Sequence, residues 1–374
     1  MQVFTRPFLR LFSLGLDWLS YICGVSPERA CLYPRSPNLD RLGSRIAFWL
    51  TLTGGASSIL NNHVNLTIVR HLLIKEKSAY VAKILTYRLQ YWLFLGVIWL
   101  MHRMSYARRQ KFGAWLFSDV IAPLAGYHKR TRENLNLIFP EMEEEKVACL
   151  TASVGRNIGI TLSELFSPDE FVKNVTNSAL KGAGLEALKR AHEHGRPVIV
   201  VSGHFGNYDV VRANLIAMNL RVGGLYRRMN NPYFDAYYLN SISKIGTPLF
   251  ERGRRGLKAM LNFLRGGGIL AVLIDQRLAN GVPLSFMGKK AYTPVSIADL
   301  ALKLNALVVP AYAVRQPDLS YEVLIEDPIE HSTAIEMTQA LNDSLDRRVQ
   351  KNPEQWLWIH RRWKSTASQD NLTN

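Results

Sequence analysis

Residues 197–209 read PVIVVSGHFGNYD. Residues 197–202 form a short apolar run rich in β-branched side chains, the composition of a strand buried on both faces of a parallel sheet. Gly203 and Gly206 bracket His204 immediately after it, and a helical period sets in over 207–220. A buried strand that ends in a glycine-bearing turn and feeds a helix is one half of a βα unit. Working outward, the same alternation recurs. Strands are predicted at 222–226, 269–274, 307–314 and 321–325, with a short extended stretch at 247–250. Helices are predicted at 132–139, 141–164, 232–245, 255–264, 294–304 and 333–349. Gly266, Gly267 and Gly268 close the helix at 255–264, and Pro294 opens the next. The pattern predicts an α/β fold with a mostly parallel central sheet flanked by helices.

Upstream the chain changes character. Residues 89–101 (LQYWLFLGVIWLM) are the most apolar run in the sequence. Read alone, they fall short of the ~20 residues that cross a bilayer. Tyr91, Trp92 and Trp99, with Arg88, Arg103, Arg108, Arg109 and Lys111 on the flanks, are residues that favour the membrane interface. A second apolar patch follows at 112–127. The segment 86–128 is therefore expected to be a helical region that anchors in, or dips into, a membrane, the competing reading being a buried core helix. Residues 1–85 are read as an extension of unassigned role, 129–365 as the catalytic domain and 366–374 as a tail. The start of the chain is basic and apolar, but Asp17 interrupts it and no convincing cleavage site follows.

Lys and Arg total 46 against 30 Asp and Glu, a formal net charge of +16. So basic a chain favours an acidic partner: nucleic acid, an anionic membrane surface, or a phosphorylated substrate. The sequence carries no helix-turn-helix, zinc or RNA-binding signature, so nucleic acid is not expected. Cys23, Cys31 and Cys149 are odd in number and lack metal-ligand spacing, which reads as free thiols in a reducing compartment. No metal and no cofactor is expected.

The chemistry concentrates after the strand at 197–202, because ligands of open α/β sheets bind beyond the carboxyl ends of the strands. His204 stands there, and Asp209 follows in the first turn of the helix. Helical side chains lean toward the N-terminus, so the Asp209 carboxylate is expected to reach back to His204. A carboxylate on one imidazole nitrogen fixes the tautomer and makes the other nitrogen a general base. No Gly-x-Ser-x-Gly elbow supplies a nucleophile, so the base would act on a hydroxyl of a bound acceptor. The plainer alternative is a histidine and an aspartate that cap a helix.

His204 and Asp209 resemble the His-x4-Asp motif of the glycerolipid acyltransferases, and the wider sequence resembles the lipid A late acyltransferases. Several segments carry the likeness in order: Arg132-Glu133-Asn134-Leu135 with Phe139-Pro140-Glu141; Tyr226-Arg227 with Asn230 and Asn231; Arg252 with Arg255-Gly256; Asp275-Gln276; Phe286-x-Gly288 with Ala291 and Thr293; and Pro353-Glu354-Gln355-Trp356-Leu357-Trp358-Ile359-His360-Arg361-Arg362 near the C-terminus. The resemblance covers about 88–364. It implies a fold similar to the glycerol-phosphate acyltransferases and transfer of a fatty acyl chain to a hydroxyl of a Kdo-bearing lipid A precursor. The implied donor is acyl-acyl carrier protein, with acyl-CoA as a second candidate. The implied place is the cytoplasmic face of the inner membrane. His204 would be the base and Asp209 its partner. Arg227, Arg252 and Arg255, with Asn207, Asp275 and Gln276, become candidate substrate contacts, since guanidinium groups fit phosphates and sugar acids. The same chemistry would serve another polar-lipid acceptor, such as a lysophospholipid, a phosphatidylinositol mannoside or an ornithine lipid. A non-catalytic membrane-binding protein is the reading furthest from this one.

Overall fold

The computed structural model describes residues 60–278 and 281–364, so the expectations for 1–59 and for the C-terminal tail lie outside the described residues. The described chain falls into two units, 60–94 and 95–364. Helix α1 (Leu60–His102) begins in the first and ends in the second. Its stretch Tyr80–His102 has 23 residues and is long and apolar enough to cross a membrane. At 1.5 Å per residue it measures about 34 Å, against a hydrocarbon core of about 30 Å. The apolar run is longer than the one read at 89–101 because the helix continues through Lys83 and Arg88, the only formal charges between 80 and 102. Trp92 and Trp99 are exposed, at 67% and 61%.

The unit 95–364 continues with α2 (Tyr106–Trp115), α3 (Tyr127–Ile138), α4 (Glu144–Leu165) and α5 (Pro168–Val175). Glycines let α2 and α4 approach closely: a Cβ on Gly159 would meet the Gly113 carbonyl oxygen at 2.1 Å. The α/β part follows as β1 (Ala179–Lys181), α6 (Gly184–Glu193), β2 (Val198–Ser202), α7 (Asp209–Ala217), β3 (Val222–Tyr226), α8 (Pro232–Ile245), β4 (Leu249–Glu251), α9 (Arg254–Arg265) and β5 (Ile269–Leu273). The hairpin β6 (Val282–Phe286) and β7 (Lys289–Thr293) comes next, then α10 (Ser296–Leu304), β8 (Leu307–Arg315), β9 (Tyr321–Ile325) and α11 (Ala334–Lys351). Among the described residues seven strands form one sheet in the order β1-β9-β8-β2-β5-β3-β4. Its pairs are parallel except β8 with β9. The α/β architecture with a mostly parallel sheet is therefore the one the alternation of strands and helices called for. Three elements between 168 and 193 and the hairpin were not anticipated. β1 pairs at the sheet edge over three residues and has no apolar run to betray it.

All five residues of β2 are buried, which is why its sequence is apolar on both faces. On one face Ile199, Val201, Leu270, Val272 and Ile274 pack with Met260 and Leu264 of α9, Ala301 of α10 and Met337 and Leu341 of α11. Each such aliphatic side chain contributes about 1.5–3 kcal/mol on burial. The opposite face carries Val200, Ser202 and Ala271, with α7 and α8 on that side. A second cluster joins Leu135, Val147, Val154 and Ile158 of α3 and α4 to Phe205, Phe286, Trp356 and Trp358. The C-terminal tryptophans Trp356 and Trp358 are therefore core residues, 1% and 0% exposed, and do not face an interface.

Candidate active site

Ser202 of β2 stands opposite Leu273 of β5 in a parallel pair. Extending that register by two residues brings His204 level with Asp275, and strand alternation sends both side chains the same way. The His204 Nδ1 atom lies 2.8 Å from Asp275 Oδ1, and the His204 backbone N–H donates to Oδ2 at 2.7 Å. The Trp356 indole N–H donates to the same Oδ2 at 3.0 Å. Asp275 is 1% exposed. Burial by itself would push its carboxyl up. The charge and hydrogen bonds of His204, with His360 nearby, outweigh burial and hold it well below the usual carboxylate range. An ionised Asp275 keeps the imidazole proton on Nδ1 and leaves Nε2 as an acceptor. The Gln276 amide nitrogen stands 3.5 Å from that Nε2. Tyr208 and His360 meet the imidazole edge-on, with ring centroids at 5.5 and 4.9 Å.

The expected bond between Asp209 and His204 is not formed. Asp209 opens α7, and its carboxylate accepts from Arg212 Nε at 2.9 Å, one turn along the same helix. Arg212 is itself buried and donates onward to the carbonyls of Ile242 and Gly246. A neighbour at i+3 holding a buried guanidinium takes the carboxylate away from the loop, and a residue 71 positions downstream of His204 takes its place. Asn207 is also turned inward. It is 3% exposed, donates to Glu164 Oε2 at 3.0 Å and accepts the Asp209 N–H at 3.1 Å.

The loop between β2 and α7 is closed from above by the C-terminal segment. Phe205 and Trp356 form an antiparallel bridge, Gly206 N–H donates to the Gln355 carbonyl at 2.8 Å, and Leu357 N–H donates to the His204 carbonyl at 3.1 Å. Gly206 has φ +54°, and a Cβ there would meet the Ala313 carbonyl oxygen at 2.1 Å, so no other residue fits. Arg362 is a buried cation, 1% exposed, that donates to the Tyr292 carbonyl at 2.9 Å and the Thr293 hydroxyl at 2.6 Å. Burial lowers its pKa to about 10, and the charge of Asp275 works against that fall.

Two clefts meet at Tyr208. One runs along the sheet face over Val200, Ser202, Gly224 and Ala271 and is walled by Tyr238 and Ile242 of α8. The other lies between α4 and the loop, with Val154, Ile158, Trp356 and His204 on its walls. At the carboxyl ends of β3 and β4 stand exposed Arg227, Arg252, Arg254, Arg255 and Lys258. Partial desolvation, then the like charge of Arg252, lowers the pKa of Arg227. Arg228 lies 3.6 Å from Asp235, but no carboxylate comes within ion-pair distance of Arg252, Arg254, Arg255 or Lys258 among the described residues.

A histidine bonded to a buried carboxylate stands at the strand ends, beside a cleft and near a basic rim. The chain belongs to the family of bacterial lipid A biosynthesis acyltransferases, whose pattern it matches over residues 76–365. It is 28% identical over 286 residues to the lipid A biosynthesis lauroyltransferase of Escherichia coli (strain K12), covering 73% of this chain and 91% of that protein. The lipid A biosynthesis palmitoleoyltransferase of the same organism is 26% identical over 284 residues, or 73% and 90% of the two chains. A lipid A biosynthesis acyltransferase of Haemophilus influenzae is 26% identical over 296 residues, 74% and 91% of the two chains. The matched region takes in the apolar stretch of α1 and leaves most of the first 85 residues outside it.

The sequence brought His204, Asp275 and Gln276 forward, but not the way they combine. His360 was legible only as part of a C-terminal signature. The bridge between that segment and the loop brings His360 against the His204 ring and the Trp356 indole onto Asp275.

Proposed function

We propose that this acyltransferase moves a fatty acyl group from an acyl carrier protein thioester to a hydroxyl of a Kdo-bearing lipid A precursor, at the cytoplasmic face of the inner membrane. The observation that carries the chemistry is the His204–Asp275 pair, with His204 on the wall of the cleft between α4 and the loop. His204 Nε2 takes the proton of the acceptor hydroxyl as its oxygen bonds to the thioester carbonyl carbon. Asp275 stabilises the imidazolium that results. The tetrahedral intermediate collapses, the C–S bond breaks, and the imidazolium returns the proton to the departing thiolate. No acyl-enzyme forms. Gln276, at the same ring nitrogen, is placed to bond the entering hydroxyl.

The acyl chain lies in the cleft over Val200, Gly224 and Ala271. Asp209 supports that cleft by holding Arg212 in its wall. Arg227, Arg252 and Arg255 take the phosphate and sugar-acid groups of the acceptor, where desolvated guanidinium–phosphate contacts are strongest. The stretch Tyr80–His102 seats the protein in the bilayer, with Trp92 and Trp99 suited to its interfaces and Arg103 to the anionic surface.

The test is mass spectrometry of lipid A from cells with and without the gene. Loss of one secondary acyl chain on deletion, restored by wild type and not by His204→Ala, is the expected result. An unchanged lipid A profile would refute the acceptor, and a change elsewhere in the polar-lipid extract would then identify the true one.

A further inference from the structure

Behind the catalytic loop lies a second charged centre that plays no part in the proton transfer just described. Glu164, near the end of α4, is 0% exposed. Its Oε1 accepts from the Gln110 amide at 2.9 Å. Its Oε2 accepts from Asn207 Nδ2 at 3.0 Å, from Arg315 Nη2 at 3.0 Å and from the Tyr321 hydroxyl at 2.7 Å. Arg315, also buried, reaches the Thr161 hydroxyl at 2.8 Å, Tyr321 Oη at 2.9 Å and the Asn157 side chain. The Thr161 hydroxyl in turn shares its one proton between the carbonyls of Asn157 at 3.0 Å and Gly206 at 3.1 Å. Two bonds from this network thus land on the loop 203–208, at Gly206 and at Asn207.

Taking a carboxylate and a guanidinium out of water costs several kcal/mol per ion, and well-packed apolar residues of similar volume would often serve stability as well. Helix α4 could have met β8 and β9 with such residues. An ion pair that spends two contacts on the loop bearing the base is better explained by geometry than by stability. His204 must stay in register with Asp275, and a displacement of about 1 Å can cost about 100-fold in rate.

We propose that Glu164 is a positioning residue of the reaction: through Asn207, and with Arg315 and Thr161, it holds the loop that carries His204 so that the imidazole stays bonded to Asp275. The inference rests on the acyl-transfer reading above. Asn207 then acts through Glu164 and not on the substrate.

Glu164→Gln removes the counter-charge of buried Arg315 and is expected to unfold much of the protein, so the test uses Asn207→Ala and Thr161→Val, which leave the ion pair whole. Both purified full-length variants are compared with wild type and with His204→Ala in an acyl-transfer assay and by hydrogen exchange of the peptide covering 203–208. The expected result is a kcat about 10–100-fold lower with donor and acceptor KM within about twofold of wild type. The acid limb of the kcat/KM profile moves to lower pH, since an imidazole that loses carboxylate contact holds its proton less tightly. Exchange of the loop amides is faster. Wild-type kcat and pH profile in both variants, with His204→Ala inactive, would overturn the positioning role and leave acyl transfer standing. A raised KM at unchanged kcat in Asn207→Ala would make Asn207 a substrate contact and also overturn it. If the wild-type protein transfers no acyl group, the functional reading fails; the exchange measurement still decides the structural link, and unchanged loop protection overturns it.

Discussion

Asp275→Asn is the substitution that most sharply separates the carboxylates near His204. Asp275 accepts from the His204 backbone N–H at 2.7 Å, the Trp356 indole at 3.0 Å and the His204 ring at 2.8 Å. Asparagine has one carbonyl oxygen, which the two fixed donors on the Oδ2 side claim. Its NH2 group then faces His204 Nδ1. That nitrogen must become an acceptor, which moves the ring proton to Nε2, where the proposed base needs a lone pair. A wrong tautomer in an otherwise intact His–carboxylate site costs about 10⁴-fold in kcat. Here the bond to His204 is of ordinary length, and a loss of about 10³–10⁴-fold is expected, or about 4–5.5 kcal/mol of barrier. The assay is single-turnover transfer from an acyl carrier protein thioester to a Kdo-lipid A precursor in detergent micelles, quantified by mass spectrometry. Asp209→Asn, which loses only its charge toward Arg212, is expected to fall much less. Turnover within about threefold of wild type in Asp275→Asn, with Asp209→Asn down a thousandfold, would refute the pairing and restore Asp209 as the partner of the base.

His204→Ala is expected to abolish transfer and also to lower the melting temperature, because the ring packs against Tyr208 and His360 and pairs with buried Asp275; a folded variant with substantial turnover would remove the proposed general base from the mechanism. Arg252→Ala and Arg255→Ala are each expected to raise the acceptor KM several-fold, more at low salt than at high, whereas a fall in melting temperature without a kinetic change would make them structural. Ala271→Phe fills the floor of the sheet-face cleft and is expected to shift the preferred donor toward shorter acyl chains; an unchanged chain profile would place the chain in the other cleft. The depressed pKa of Asp275 favours the folded state at any pH above about 3.8, the ordinary carboxyl value. That contribution is lost progressively as pH falls below it toward the folded-state pKa. The melting-temperature gap between wild type and Asp275→Asn should therefore narrow only below about pH 4, and a gap that closes nearer neutrality would show that another group controls it.

Local pattern made much of this protein legible. Residues 198–202 and 269–273 are apolar and β-branched because both faces of their strands are buried, and such runs are visible without neighbours. His204 was legible because glycines and a strand end surround it, and the long helices because their apolar period is local. The three-residue strand at 179–181 was not, since it is too short to show a period, nor was the hairpin at 282–293, where Pro283 interrupts the alternation of Val282, Leu284 and Phe286 and Lys289 and Lys290 open the return strand. The apolar helix was read as too short because a run was counted where a helix, which tolerates Lys83 and Arg88 on its surface, was the relevant unit. The partner of His204 lay beyond the reach of sequence spacing. Asp209 is near in the chain and helical lean favours it, but a buried Arg212 one turn on claims its carboxylate. Asp275 is far in the chain and becomes adjacent only because β2 and β5 are neighbours in a particular register, a strand order that no single stretch of sequence encodes. The same holds for Glu164, Arg315 and Asn207, drawn from a helix, a strand and a loop. What each residue can do chemically is written in the sequence; which of them meet is decided by sheet order and packing, because contact depends on the whole fold and chemistry only on the side chain.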